Sequence, residues 1–395
     1  MKRSTERILT THVGSLARSD LLTPLLRLRE EGQPYDREAL ARLVREAVAD
    51  VVQKQVEAGV DIVTDGEQGK SGFFGYIIER FNGFERKPAA PGSVRPRAAG
   101  REYLSFPDYY AWSERIAEPF GGRSGGRGLG VDTCTGPVSY RGHAAVQADI
   151  ANLKAATTSL THEDVFMPAI ASSYVAATFA NEYYRTHEEY EQAVSDAMRE
   201  EYKAIVDAGF ILQIDDPRLV TYYMMHPELS VADCRKWAAE RVEVINDSLR
   251  DIPPEKVRFH TCYSIDVGPR IHEMDLKDIV DIMLKINAGA YSFEAANPRH
   301  EHEYHVFERI KLPAGKILIP GVISHTTNLV EHPELVAERI VRFAKIVGRE
   351  NVIAGADCGF AASALRFNDT HPSVAWLKFA ALAEGARLAS GELWR

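Results

Sequence analysis

Residues 190–217, which read YEQAVSDAMREEYKAIVDAGFILQIDDP, decide the fold class of this chain. They contain a long amphipathic stretch, Tyr190–Ala208, and then a short apolar run, Phe210–Ile214, that ends in two aspartates. An amphipathic helix followed by a short apolar strand is typical of a parallel sheet with helical crossovers.

The same alternation recurs along the whole chain. Eight runs have the character of strands: Ile8–Val13, Ile62–Thr64, Phe166–Ala171, Phe210–Ile214, Val257–Thr261, Tyr291–Phe293, Ile317–Ile319 and Val352–Ala354. Predicted helices include Asp36–Ala58, Tyr190–Ala208, Val231–Leu249, Leu276–Asn287 and Glu334–Val347. Eight strand–helix units predict an α/β fold of the TIM type, a (β/α)8 barrel. Since neither a repeat nor a linker divides the chain, we expect one domain over residues 1–395.

The extra length is predicted to form a long insertion between the second and third strands, at about residues 87–160. Its first part, 87–130, is rich in Pro, Gly and Arg, and a strand-like piece at 136–140 and a helix near 146–156 follow. An aromatic cluster argues against disorder: Tyr103, Phe106, Tyr109, Tyr110 and Trp112. We expect a lid or an arm of a homo-oligomer, with the aromatic side chains stacking on an alkyl donor or packing in a dimer contact.

Composition and charge narrow the class of protein. The chain has 395 residues, with 47 Lys and Arg against 56 Asp and Glu. The resulting net charge of −9 is unfavourable for binding nucleic acid without sequence preference. No apolar run has the length of a membrane span or a signal peptide. Four cysteines are too few for a disulfide framework at this size, so we expect a cytoplasmic enzyme.

Potential metal ligands follow several of the predicted strands. His260 and Cys262 are two residues apart and share one face of a strand, and Glu294 and Cys358 follow two other strands. One imidazole, two thiolates and one carboxylate suit tetrahedral Zn2+. Such an anionic shell would admit another ligand by losing the carboxylate or by enlarging its coordination. Alternatively, the His-x-Cys pair is incidental, Cys358 is a small core residue, and Glu294 is a buried acid paired with Arg299.

Seven short motifs carry a family resemblance. In order they are THVGSLAR (11–18), TDGEQGK (64–70), LQIDDPRL (212–219), HTCYS (260–264), SFEA (292–295), PGVIS (320–324) and ADCGF (356–360). They resemble the catalytic C-terminal barrel of cobalamin-independent methionine synthase and its single-domain relatives, including epoxyalkane:coenzyme M transferase. The resemblance implies one zinc on His260, Cys262, Glu294 and Cys358, and alkyl (methyl) transfer to a small thiol that zinc activates as its thiolate.

The resemblance also implies a substrate site. Glu67 and Asp215 match the acids that hold the amino group of homocysteine, and Ser15 matches a residue that contacts its carboxylate. From the residues alone, the alternatives are that Glu67 and Asp215 cap the helices after their strands or pair with Lys70 and Arg218. His325 is the candidate catalytic proton donor, although it lies one position out of register with the family's Asp-Ile-His segment.

The expected partners are a small thiol and an alkyl donor. Cobalamin-independent methionine synthase has a second barrel that helps it bind polyglutamylated folate, and this chain has no room for that barrel. We therefore expect an alkyl donor other than polyglutamylated folate. Two other functions remain open: a carbon–sulfur lyase or thioether-cleaving enzyme with the same zinc site, and a non-catalytic barrel with a closed structural zinc.

Overall fold

Eleven strands are present in the computed structural model, which describes residues 1–88, 99–117, 130–263, 268–361, 363–364 and 370–395. The strands within these ranges are β1 (Leu9–Thr10), β2 (Ile62–Val63), β3 (Phe81–Pro88), β4 (Gly130–Tyr140), β5 (Asp164–Ile170), β6 (Ala180–Asn181), β7 (Ile211–Asp215), β8 (Val257–His260), β9 (Ala290–Phe293), β10 (Ile317–Ile323) and β11 (Ile353–Ala356).

Eight of these strands form a parallel barrel in the order β1-β11-β10-β9-β8-β7-β5-β2. A parallel bridge between Thr11 and Ile62 joins the first strand to the last of this order. Asp61 reinforces the join, because its carboxylate accepts from the Thr10 N–H at 2.8 Å. The predicted TIM-type barrel is confirmed, and each of the eight predicted strands overlaps a barrel strand.

Helices surround the barrel. Their bounds are α1 (Leu22–Glu30), α2 (Arg37–Glu57), α3 (Ile77–Arg80), α4 (Arg101–Ser105), α5 (Pro107–Ala117), α6 (His143–Thr157), α7 (Ser172–Thr178), α8 (His187–Asp207), α9 (Arg218–Met225), α10 (Val231–Ser248), α11 (Val280–Met283), α12 (Pro333–Val347) and α13 (Pro372–Leu393). The helix predicted over Leu276–Asn287 is confirmed only in part, since a 3-10 turn, Leu276–Asp278, and the four residues of α11 are helical, whereas the last four residues of the predicted range are not.

The unit α8–β7 shows why the sequence folds this way locally. Thr186 caps α8, because its side chain accepts from the Glu189 N–H at 3.2 Å. Gly209 follows with φ +96°, a left-handed conformation that glycine adopts without strain, and turns the chain into β7. All five residues of β7 are buried, as expected for a strand covered on both faces.

The insertion contributes to a second, small sheet in the order β3-β4-β6, in which only β4 lies wholly within the predicted insertion. The predicted strand at 136–140 is the end of β4, and the predicted helix at 146–156 lies within α6. In α4 and α5, Tyr103 and Tyr110 stack with ring centroids 3.6 Å apart. Residues 89–98 and 118–129 of the insertion lie outside the described residues. Its role as a lid or an oligomer arm stays a prediction.

A separate apolar cluster is built from residues of the barrel strands. Its buried members are Leu9, Ile62, Phe166, Ile211, Ala290, Ile317, Ile319 and Ile353. Most of them stand near the amino ends of their strands, and this leaves the carboxyl ends for polar groups. In the described ranges, every helix is too short or too polar to span a lipid bilayer.

Candidate metal centre and substrate pocket

Three of the four predicted metal ligands meet at the carboxyl ends of the barrel strands. His260 ends β8, Cys262 follows two residues later, and Cys358 lies two residues beyond β11. The sulfur atoms of the two cysteines are 3.0 Å apart. One ligand atom from each of the three residues lies within 4.8 Å of the others, and all three residues are buried.

The surroundings of His260 favour a neutral imidazole, the form that can bind a metal through nitrogen. The hydroxyl of Ser292, its register partner on β9, lies 3.1 Å from Nδ1. Nε2 is buried and has no hydrogen-bond partner within the described part of the chain. Burial, together with the charge of Arg258, lowers the pKa of His260 to about 3. The imidazole is therefore neutral at physiological pH, with Nε2 available to a metal.

The two cysteines complete a donor set that fits zinc. Both are free and buried. The hydrogen bond to Cys262 and burial raise the pKa of Cys358 well above its usual value, so without a cation its thiol is protonated. Metal binding deprotonates such thiols. One neutral imidazole and two sulfurs suit Zn2+ better than Mg2+ or Ca2+, which prefer oxygen.

Glu294, the fourth predicted ligand, lies nearby but has other partners. Its Oε1 accepts from the Tyr263 N–H at 2.8 Å. Its Oε2 accepts from Arg270 at 2.6 Å and from the Asn297 side chain at 2.7 Å. Glu294 is thus a buried acid that pairs with an arginine, as the alternative interpretation expected. The arginine is Arg270, however, and the predicted pairing with Arg299 is wrong.

Asp357 connects the ends of β9 and β11. Its buried carboxylate accepts from the N–H groups of Ala295 and Ala296 at 2.7 and 2.8 Å, and of Asn297 at 3.0 Å. Asp357 directly precedes Cys358, and the three donors directly follow Glu294. Sequence reasoning gave Asp357 no role, although an acidic residue between a strand and a potential ligand was a usable signal.

Glu67 lies in a strained turn after β2. Its φ is +56°, which is uncommon for a residue with a side chain. The carboxylate of Asp65 accepts from the Glu67 N–H at 2.9 Å and holds the turn. The side chain of Glu67 is buried 3.6 Å from the guanidinium of Arg18. Lys70, the partner considered earlier, instead donates to the Pro168 carbonyl at 2.7 Å.

Asp215 ends β7 and faces the same region. Burial and the negative charge of Glu67 raise the pKa of Asp215 well above its usual value, so the two acids lie within electrostatic reach. Gln213 donates to Asp215 at 2.8 Å. The alternative role of helix cap belongs to Asp216, whose carboxylate accepts from the Arg218 N–H at 2.9 Å at the start of α9.

Ser15 and His325 are also buried at this end of the barrel. The Ser15 hydroxyl donates to the Ala361 carbonyl and accepts from Arg18 at 3.1 Å. Burial and Glu294 raise the pKa of Asp357, whereas His325 lowers it, which places His325 within electrostatic reach of the ligand-bearing loops. Every predicted site residue therefore belongs to the carboxyl end of the barrel, and three of them form a cluster that could bind a metal.

Comparison with known proteins finds a family model and curated proteins of one kind. The family model for the cobalamin-independent synthase catalytic domain matches residues 133–380. A methionine synthase of Saccharolobus solfataricus is 26% identical over 390 residues, which cover 98% of this chain and 96% of that protein. A methionine synthase of Thermococcus kodakarensis is 24% identical over 390 residues, with coverage of 98% and 94%.

Solved structures agree on the fold. A B12-independent methionine synthase from a Shewanella species, in complex with selenomethionine, superposes with a TM-score of 0.71 and 21% identity, covering 98% of this chain and 99% of that chain. That likeness shows a shared fold, and the family model spans more than half of the chain.

Proposed function

The chain belongs to the cobalamin-independent methionine synthase family, and on that premise we propose that it transfers a methyl or other alkyl group to a small thiol. The observation that carries the proposal is the convergence of His260, Cys262 and Cys358, whose ligand atoms lie within 4.8 Å of one another. This donor set suits a zinc ion.

The three residues would hold zinc at the carboxyl end of the barrel. Zinc bound there would keep the substrate sulfur as a thiolate at neutral pH, where a free thiol is mostly protonated. The cysteine side chains add negative charge beside the sulfur, and burial of all three residues limits competition from water.

Glu67 and Asp215 are proposed to orient the thiol substrate. Two buried carboxylates within electrostatic reach of each other favour a cationic group between them, because an ammonium relieves their mutual repulsion. An amino-acid thiol such as homocysteine has that group. Ser15 is proposed to contact the substrate carboxylate, and His325 to give a proton to the leaving group of the donor.

The first experiment measures zinc per chain in the purified protein. We expect about one zinc in the parent and a large loss in Cys262→Ser and Cys358→Ser, since each variant removes one of the three ligands that converge. Cys234→Ser is the matched control, because Cys234 is equally buried but lies in α10. A parent that takes up no zinc, or serine variants that retain it while folded, would contradict the proposal.

Activity is then tested with homocysteine or coenzyme M as acceptor and monoglutamyl methyltetrahydrofolate as one methyl donor. Cys262→Ser should abolish alkyl transfer, and unchanged turnover in this variant would disprove the mechanism. A thioether supplied without acceptor distinguishes the lyase alternative, since only a lyase would release thiol under that condition.

A further inference from the structure

Arg18 lies between β1 and α1, and its buried guanidinium joins two other loops at the carboxyl end of the barrel. The side chain is 0% exposed. Nη1 donates to the Ala361 carbonyl at 2.6 Å, in the loop after β11. Nη2 donates to the carbonyls of Glu67 and Lys70 at 2.8 and 3.0 Å, in the loop after β2. Because the donors of a guanidinium are fixed in one plane, one side chain can hold several carbonyls at once.

Arg18 stabilises the strained turn that carries Glu67. The positive φ of Glu67 costs energy, and such a conformation persists where the surroundings fix it. Arg18 binds the carbonyl of Glu67 and also lies 3.6 Å from Oε2 of its carboxylate. This Oε2 atom is buried, and within the described residues no donor lies at hydrogen-bonding distance from it. The turn therefore presents a buried carboxylate oxygen that can accept a hydrogen bond from a ligand.

The loop after β11 also carries Cys358, one of the three converging metal ligands. Ala361 lies three residues after Cys358 in the chain. The Phe360 N–H donates to the Ser15 carbonyl at 2.9 Å, and the Ser15 hydroxyl donates to the Ala361 carbonyl. Contacts from Arg18 and its neighbours therefore connect the strained turn after β2 with the loop of a proposed metal ligand.

Resting on the proposed function, we propose that Arg18 is a positioning residue that fixes the separation between the metal centre and Glu67, so that the site selects amino-acid thiols by their length. The substrate sulfur would be held at the metal and its ammonium group at Glu67. Two binding points at a fixed separation fit one number of carbon atoms between sulfur and nitrogen and fit any other number poorly. Homocysteine places three carbon atoms between these two atoms, whereas cysteine places two.

The contacts of Arg18 separate this role from support of the metal centre itself. Within the described chain, its hydrogen bonds go to Ser15, Leu16, Glu67, Lys70 and Ala361. None of these residues is a proposed metal ligand. Loss of the guanidinium should therefore change which thiol is bound without a matching change in metal affinity.

The test compares the binding of homocysteine and cysteine to the Co2+-loaded protein, in which thiolate-to-cobalt absorption reports the bound sulfur. We expect the parent to bind homocysteine at least about 10-fold more tightly than cysteine, the usual effect of one methylene in a fitted site. In Arg18→Met this ratio should fall below about 3-fold, because the turn of Glu67 is no longer fixed. Zinc affinity, measured by competition with a chromophoric chelator, should stay within about 3-fold of the parent.

Arg18→Lys is the second variant, because it keeps the positive charge but not the planar set of donors, and its ratio should be intermediate. Arg339→Met is the matched control. Arg339 is an equally shielded arginine of α12 that donates to the Val322 carbonyl at 3.0 Å and pairs with Glu301. Its loss should leave the ratio unchanged.

A parent that does not prefer homocysteine would overturn the inference. It would also be overturned by a folded Arg18→Met or Arg18→Lys that keeps the parental ratio, or by an Arg339→Met that loses the ratio to the same extent. A parent that takes up no metal, or that shows no thiolate-to-cobalt absorption with either thiol, would instead contradict the proposed function.

Discussion

Asp357 is the residue on which the geometry of the centre depends most directly. One carboxylate accepts from three consecutive backbone N–H groups after Glu294, while the next residue in the chain is Cys358. The distance between the ends of β9 and β11 is therefore set by hydrogen bonds that do not involve a metal. A change at Asp357 should affect both the stability and the centre.

We predict that Asp357→Asn lowers the free energy of unfolding by about 2–3 kcal/mol, because an amide NH2 cannot accept from the N–H groups that face it. Urea unfolding of the zinc-free protein measures the change. Asp207→Asn serves as the control, since this side chain is 70% exposed at the end of α8 and should change stability by less than about 0.5 kcal/mol. Equal effects of the two substitutions would refute the role given to Asp357.

For individual residues, the sequence predicts potential metal ligands better than it predicts the side chains that pair with them. His260 and Cys262 could be found because alternation along a strand puts both on one face. Arg270 could not, since its contact with Glu294 depends on the path of a loop that has no periodic pattern. Arg299, near in sequence, was the natural guess, but its guanidinium donates to the Ile271 carbonyl at 3.3 Å.

At the scale of elements, α13 offers a paired test of packing. Gly385 faces α12, and a Cβ built there would overlap the side chain of Val336. Gly391 lies later in the same helix, and a Cβ there would have no neighbour within 4 Å among the described residues. Gly385 is thus required by close helix packing, whereas Gly391 is not.

We predict that alanine at these two positions changes the stability of the protein in opposite directions. Gly385→Ala should destabilise the protein by about 1–3 kcal/mol through overpacking. Gly391→Ala should stabilise it by less than about 1 kcal/mol, because alanine has a higher helix propensity than glycine and Gly391 lies in the last turn of α13. Thermal unfolding of the two variants measures these changes. A shift of the unfolding temperature in the same direction for both variants would show that the α12–α13 contact is described wrongly.

The eight barrel strands were predictable because each is a short, buried apolar run. The small sheet formed by β3, β4 and β6 could not be predicted. Gly83 in β3 has φ +87°, and the register with β4 shifts between Asn82 and Phe84, so the strand lacks regular alternation. β3 forms because it pairs with β4. Pairing between segments far apart in the chain cannot be read from the local pattern of β3. Residues 276–287 show the reverse, since a helical pattern there yields only a 3-10 turn and the short α11.

The whole molecule should respond to pH through His300. Burial alone would lower the pKa of His300, but hydrogen bonds to Glu273 and Glu303 outweigh it and raise the pKa to about 9. In the unfolded chain the pKa is about 6.5. The stabilisation from protonated His300 is therefore complete below about pH 6.5 and is lost as the pH rises towards 9.

We expect the free energy of unfolding of the zinc-free parent to fall between pH 6.5 and 9 by roughly 2–3 kcal/mol more than that of His300→Gln. Urea unfolding at pH 6, 7.5 and 9 gives the comparison, and a chelator in all samples excludes metal titration. Parallel curves for the parent and the variant would show that His300 does not carry the effect.

The position of β11 has a consequence for synthesis of the chain. β11 is the last barrel strand in sequence, yet it pairs with β1, and Cys358 lies two residues after its end. On the ribosome, Cys262 therefore emerges almost a hundred residues before its sulfur partner. Neither the closed barrel nor the pair of sulfurs can exist during that interval, so a metal held by both sulfurs cannot assist the folding of the strands made earlier. The zinc proposed here could therefore be bound by both cysteines only after the last strand of the barrel has been synthesised.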